Sequence, residues 1–125
     1  MQTRVTLNRM AAGLALVIGI MAVFAGGQVL LGRVPDYYVI DWLPIYNLAL
    51  GVVSALVASV LIWRDSRLAL PTSLTIFGLH AVVMLILLTA YRQVVAVDSL
   101  RAMSIRLVAW TIILILLLAA QRKRA

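Results

Sequence analysis

Residues 42–63 read WLPIYNLALGVVSALVASVLIW, a run without a charged side chain and bounded by a tryptophan at each end. Trp42 and Trp63 are separated by about 31 Å of helix at about 1.5 Å per residue, close to the roughly 30 Å of hydrocarbon that about 20 apolar residues span. A helix is the structure such a run demands, because a lipid-facing backbone amide without a partner is costly. Each tryptophan then falls at an interface, where its amphipathic ring is favoured.

Working outward, the same reading applies three more times. Met10 to Gly32 contains Gln28 as its strong polar side chain, and Leu68 to Tyr91 is uncharged. The last apolar run, ending at Gln121, is free of charge only from Leu107 onward. It must therefore borrow the stretch from Ser99 and carry Arg101 and Arg106 in its outer turns. The expectation is an all-α membrane protein with helices over residues 9–32, 42–63, 68–91 and 99–121. They form a single four-span domain covering residues 1–125. Composition agrees: of 125 residues, 65% are hydrophobic and 12% charged, which excludes a water-soluble globular domain.

Short links make successive helices antiparallel neighbours in a four-helix transmembrane bundle. The net charge of +7 does not form a nucleic-acid stripe, because the basic residues cluster at the ends of the apolar runs. Arg4, Arg9, Arg64, Arg67, Arg122, Lys123 and Arg124 fall on one side, against Arg33, Arg92, Arg101 and Arg106 on the other. The positive-inside rule then places the N- and C-termini in the cytoplasm and the chain in the cell membrane. Arg4, Arg9 and the run ending near Val23-Phe24-Ala25 also resemble a cleavable leader. Continuation of that run to Leu31 favours a retained span.

Asp41 and Asp98 precede the second and fourth helices, where a carboxylate can cap free amides with favourable dipole sign. Pro44 and Pro71 fall in first turns, where a missing amide hydrogen costs little. Ala11, Ala15, Gly19, Ala22 and Gly26 form a small-residue face on the first helix, as Asn47, Gly51 and Ser54 do on the second. Such faces pack closely in lipid, either inside the bundle or between subunits. A homo-oligomer or a larger membrane complex is therefore an expected partner arrangement.

Candidates for function are the polar residues at membrane depth. His80 lies near the middle of the third span, with Ser54 or Thr111 as its expected hydrogen-bond partner. Arg106 lies below the outer interface, where it either snorkels to the headgroups or turns inward to Asp36, Asp41 or an anionic ligand. Gln28, Asn47 and Arg101 fall at similar depth beneath the Pro35-Asp36-Tyr37-Tyr38 link. Trp110 is a core filler whose indole N–H needs a partner, or a wall of a ligand pocket. The candidate ligand-binding set is thus Arg106, Arg101, Asn47, His80, Asp41, Gln28 and Trp110.

The residue inventory excludes more than it suggests. Without Cys there is no disulfide exchange, and without a lysine inside a span there is no retinal Schiff base. No carboxylate lies deep in a span, unlike the ion sites of small multidrug exchangers and rotary proton rings. His80 and Met84 on one face cannot clasp haem, so no metal or other cofactor is expected. The expected function is binding or transport of a lipid-like or anionic amphipathic ligand through an outward-facing polar pocket. A non-catalytic assembly subunit is the alternative, followed by an intramembrane enzyme using His80.

Overall fold

The computed structural model describes residues 2–33 and 35–122. Four helices in it are long and apolar enough to cross a membrane: α1 (Gln2–Leu30), α2 (Leu43–Trp63), α3 (Ala69–Thr89) and α4 (Val97–Arg122). The described residues contain no strand. The spans expected from sequence differ from these mainly at the start of α1, which begins seven residues earlier than position 9. Those extra turns are held down by a carboxylate. Arg4 forms an ion pair with Asp65 in the α2–α3 link, and Asn8 Nδ2 donates to Asp65 Oδ1 over 3.1 Å.

The start of α1, the α2–α3 link and the end of α4 meet at one end, where Asn8, Asp65, Ser66, Leu117 and Gln121 line a common crevice. The opposite end holds the α1–α2 link and the start of α4, with Tyr37, Val39, Leu43, Asp98 and Met103 facing one cleft. Helix α1 packs against both α2 and α4, and α3 packs against α4 and α2.

Glycine explains how closely α1 and α2 approach. A Cβ at Gly19 would stand 2.6 Å from the Ala55 nitrogen, one at Gly51 would stand 2.7 Å from the Gly19 oxygen, and one at Gly26 would stand 2.4 Å from the Pro44 oxygen. The small-residue faces read from the sequence thus meet each other within the chain. Ala11, Ala15, Gly19, Ala22 and Gly26 are all buried there.

Helix ends follow local chemistry. After α1, Gly32 adopts φ +100°, and the Arg33 and Gly32 amides bond back to the Gln28 and Val29 carbonyls, the Schellman pattern. After α2, Asp65 takes the same place at φ 55°, with Ser66 and Asp65 amides bonding to Leu61 and Ile62. The expected Asp41 cap does not form. Trp42 is the N-cap of α2, no side chain among the described residues caps the free amides, and Pro44 in the first turn removes one of them. Asp98 lies inside the first turn of α4, where its sign suits the dipole.

The middle of α2 departs from α geometry over Val53–Ala58, a π-helical segment. The Ser59 amide reaches back five residues to the Ser54 carbonyl. Its hydroxyl donates to the Ala55 carbonyl, the acceptor that an α-turn would have given to that amide. A polar side chain thereby offsets a carbonyl freed in an apolar setting.

Candidate functional site

The buried apolar residues fall into two clusters along the helices. One contains Ile18, Ile62, Ile76, Trp110 and Ile113, and the other contains Ile40, Leu43, Val83, Leu87 and Met103. Between them, each of three helices contributes polar side chains: Tyr46 and Asn47 on α2, His80 on α3 and Arg106 on α4. The spacing along each helix enforces this layer. Arg106 lies three residues from Met103 in one cluster and four from Trp110 in the other, so all three project from one face of α4.

Within the layer, Arg106 is only 6% exposed. Its Nη1 donates to Asn47 Oδ1 over 2.5 Å, and among the described residues it enters no ion pair. Of the sequence alternatives for Arg106, snorkelling to headgroups is corrected by this geometry, and so is pairing with Asp36 or Asp41, while the inward turn holds. The guanidinium turns inward and takes a neutral amide as its partner, because Asn47 stands on the buried side of α2 at matching height. Asp41 is exposed at the helix start.

His80 is 3% exposed, and its Nδ1 is hydrogen-bonded to the Tyr46 hydroxyl over 2.6 Å. The two rings meet edge to face, with centroids 5.7 Å apart. This replaces the partners expected from sequence. Ser54 lies near His80 without bonding to it, while Thr111 is exposed and donates to the Leu107 carbonyl of its own helix. Tyr46 was missed in the sequence reading. The available signal was its position four residues after Trp42, which puts both rings on one face of α2. Trp42 uses that face similarly, its Nε1 donating to the Tyr91 hydroxyl over 3.0 Å. Consecutive residues of one helix point about 100° apart, so Tyr46 engages α3 while Asn47 engages α4.

Two spaces flank the layer. On the side away from the termini, a cleft of about 60 Å³ runs inward to Arg106 and Asn47. Its walls are largely apolar, from Ala25, Val29, Leu43 and Met103, with Tyr37, Asp98 and Ser99 at the mouth. On the other side, Ile18, Ala22, Ser54, His80, Arg106 and Trp110 enclose a space with essentially no room for water, about 0 Å³. The cleft therefore ends at the polar layer.

Of the seven candidate residues, Arg106 and Asn47 face the cleft, and they are joined by His80 and Trp110 around the closed space. The other three do not converge. Arg101 and Asp41 are exposed, and Gln28 lines a separate groove with Phe24, Leu31 and Arg33. Arg101 lies five residues before Arg106, a spacing that turns it to the opposite face of α4. Trp110 is fully buried, but among the described residues its Nε1 has no hydrogen-bond partner, so the expected indole hydrogen bond is not seen there.

Four helices of this length and polarity fit a small multi-pass integral membrane protein. Among known proteins, no family model, no curated protein and no solved structure matches the chain.

Proposed function

We propose that this chain is an antiparallel four-helix transmembrane bundle that binds a singly charged anionic amphiphile, with Arg106 and Asn47 as the headgroup contact. The observation that carries the reading is a buried guanidinium whose protein partner is a neutral amide. Taking a charge out of water costs several kcal/mol, while a hydrogen bond to a charged group contributes about 1.5–3 kcal/mol. An anion in the cleft offsets the difference.

The shape of the cleft supports the same class of ligand. About 60 Å³ accommodates a carboxylate or a comparable head, and the apolar walls suit the first carbons of a tail that continues along the outside of α1 and α4. Asp98 at the mouth disfavours a second negative charge. The closed space beneath Arg106 favours binding over passage through the bundle. Seven basic residues near the termini and the α2–α3 link, against Arg33, Arg92 and Arg101 at the other end, support cytoplasmic termini and an outward-facing cleft in the cell membrane.

Spin-labelled stearate and a stearyl alcohol with the same label separate charge from tail. The expected result is an immobilised stearate population that falls at least tenfold in Arg106→Gln, with the alcohol bound weakly and equally by both proteins. Equal immobilisation of stearate by wild type and Arg106→Gln contradicts the proposal.

A further inference from the structure

At the end where the termini meet, α1 and α2 leave between them an open groove of about 390 Å³, within the range of small-molecule sites. Ala12, Gly13 and Leu16 form one wall, Ser59, Val60 and Trp63 the other, and Arg64 closes its end. The groove is apolar along its length. The Ser59 hydroxyl is engaged by the Ala55 carbonyl of its own helix, and no atom lies within 4 Å of where a Gly13 Cβ would stand, so the wall is recessed there.

Cations collect at one end of this groove. Arg9 lies over the Trp63 ring, its guanidinium carbon 4.9 Å from the ring centroid. Arg64 follows Trp63 directly. Arg4, five residues before Arg9, is paired with Asp65, whereas neither Arg9 nor Arg64 forms an ion pair with a described residue. Stacking on an indole holds a guanidinium flat and leaves its edge N–H groups free to donate. An apolar trough ending in two such cations is complementary to an amphiphile with an acyl chain and a phosphate.

We infer that this groove seats an anionic phospholipid of the surrounding bilayer, with one acyl chain against Gly13 and Leu16 and the phosphate between Arg9 and Arg64. The site lies at the opposite end of the helices from the Arg106 cleft and does not depend on the reading given to that cleft. Its charge preference distinguishes it from ordinary lipid contact, because an apolar groove alone holds zwitterionic and anionic lipids equally.

The test is native mass spectrometry of the full chain equilibrated with phosphatidylglycerol and phosphatidylcholine of identical acyl chains. Wild type is expected to retain one phosphatidylglycerol in at least tenfold preference. The preference disappears in the double variant Arg9→Gln, Arg64→Gln. Gly13→Leu, which fills the groove without meeting the packed core, lowers retention with a melting temperature no lower than that of wild type. Both losses recur in an Arg106→Gln background, which separates this lipid from any ligand of the cleft. Equal retention of the two lipids by wild type, a phosphatidylglycerol preference that survives in the double variant, or undiminished retention in Gly13→Leu overturns the assignment.

Discussion

Asn47 is the residue on which the polar layer turns, since it supplies the acceptor for a guanidinium taken out of water. Replacing it with leucine leaves Arg106 buried without that acceptor and is expected to cost about 2–3 kcal/mol. Unfolding in mixed micelles measures this, and Asn47→Asp, which restores an acceptor and adds a counter-charge, should recover most of the loss. Tyr46→Phe removes only the hydrogen bond to His80 and keeps the edge-to-face contact, so a smaller cost of about 1 kcal/mol is expected in the same assay. At this scale the sequence named four of the residues that the packed helices bring together, Arg106, Asn47, His80 and Trp110, and was poor on partners. Counting along each span put Asn47 and Arg106 at one height, as their hydrogen bond requires, but set His80 deeper than the layer it shares with Tyr46. The pairings did not follow from counting, because the rotation of each helix about its axis sets which neighbour a side chain meets, and four nearly uniformly apolar helices carry little pattern to fix it.

Helix contacts make different demands on glycines that look alike in the sequence. Gly19 and Gly51 sit where backbones touch, and a methyl group at either would stand within 3.0 Å of backbone atoms that cannot move alone. Gly19→Ala and Gly51→Ala are therefore expected to destabilise by about 1–3 kcal/mol through overpacking. Gly27 lies on the same helix as Gly19 with nothing within 4 Å of its Cβ position. Gly27→Ala should be neutral or stabilising by up to about 1 kcal/mol, through helix propensity alone. Parallel thermal unfolding of the three variants decides the matter, and equal effects at Gly19 and Gly27 would sink the close-packing account. Spacing made the α1 stripe visible in advance. The π-helical segment Val53–Ala58 was not visible, since its residues read as ordinary apolar helix and the wider turn is stabilised by one hydroxyl, that of Ser59.

The whole molecule joins four membrane-length helices around one polar layer, with a cleft reaching that layer from the end away from the termini. Number, length and approximate bounds of the helices were legible from uncharged runs, because lipid imposes a length requirement that folding in water does not. Convergence of Arg106 with Asn47, His80 and Trp110, and the exclusion of Arg101, Asp41 and Gln28, required the packed helices. Orientation in the membrane has a direct test, because the natural chain contains no cysteine. Single replacements Asp36→Cys and Ser66→Cys in intact cells should label with a membrane-impermeant maleimide at position 36 and not at position 66. The reverse pattern would place the cleft on the cytoplasmic side. The central claim is that Arg106 holds an anionic amphiphile, and native mass spectrometry of protein released from its own membrane tests it most directly. A discrete anionic species that accompanies wild type and is absent from folded Arg106→Gln is the predicted result. Identical spectra of bound species for the two proteins would contradict it.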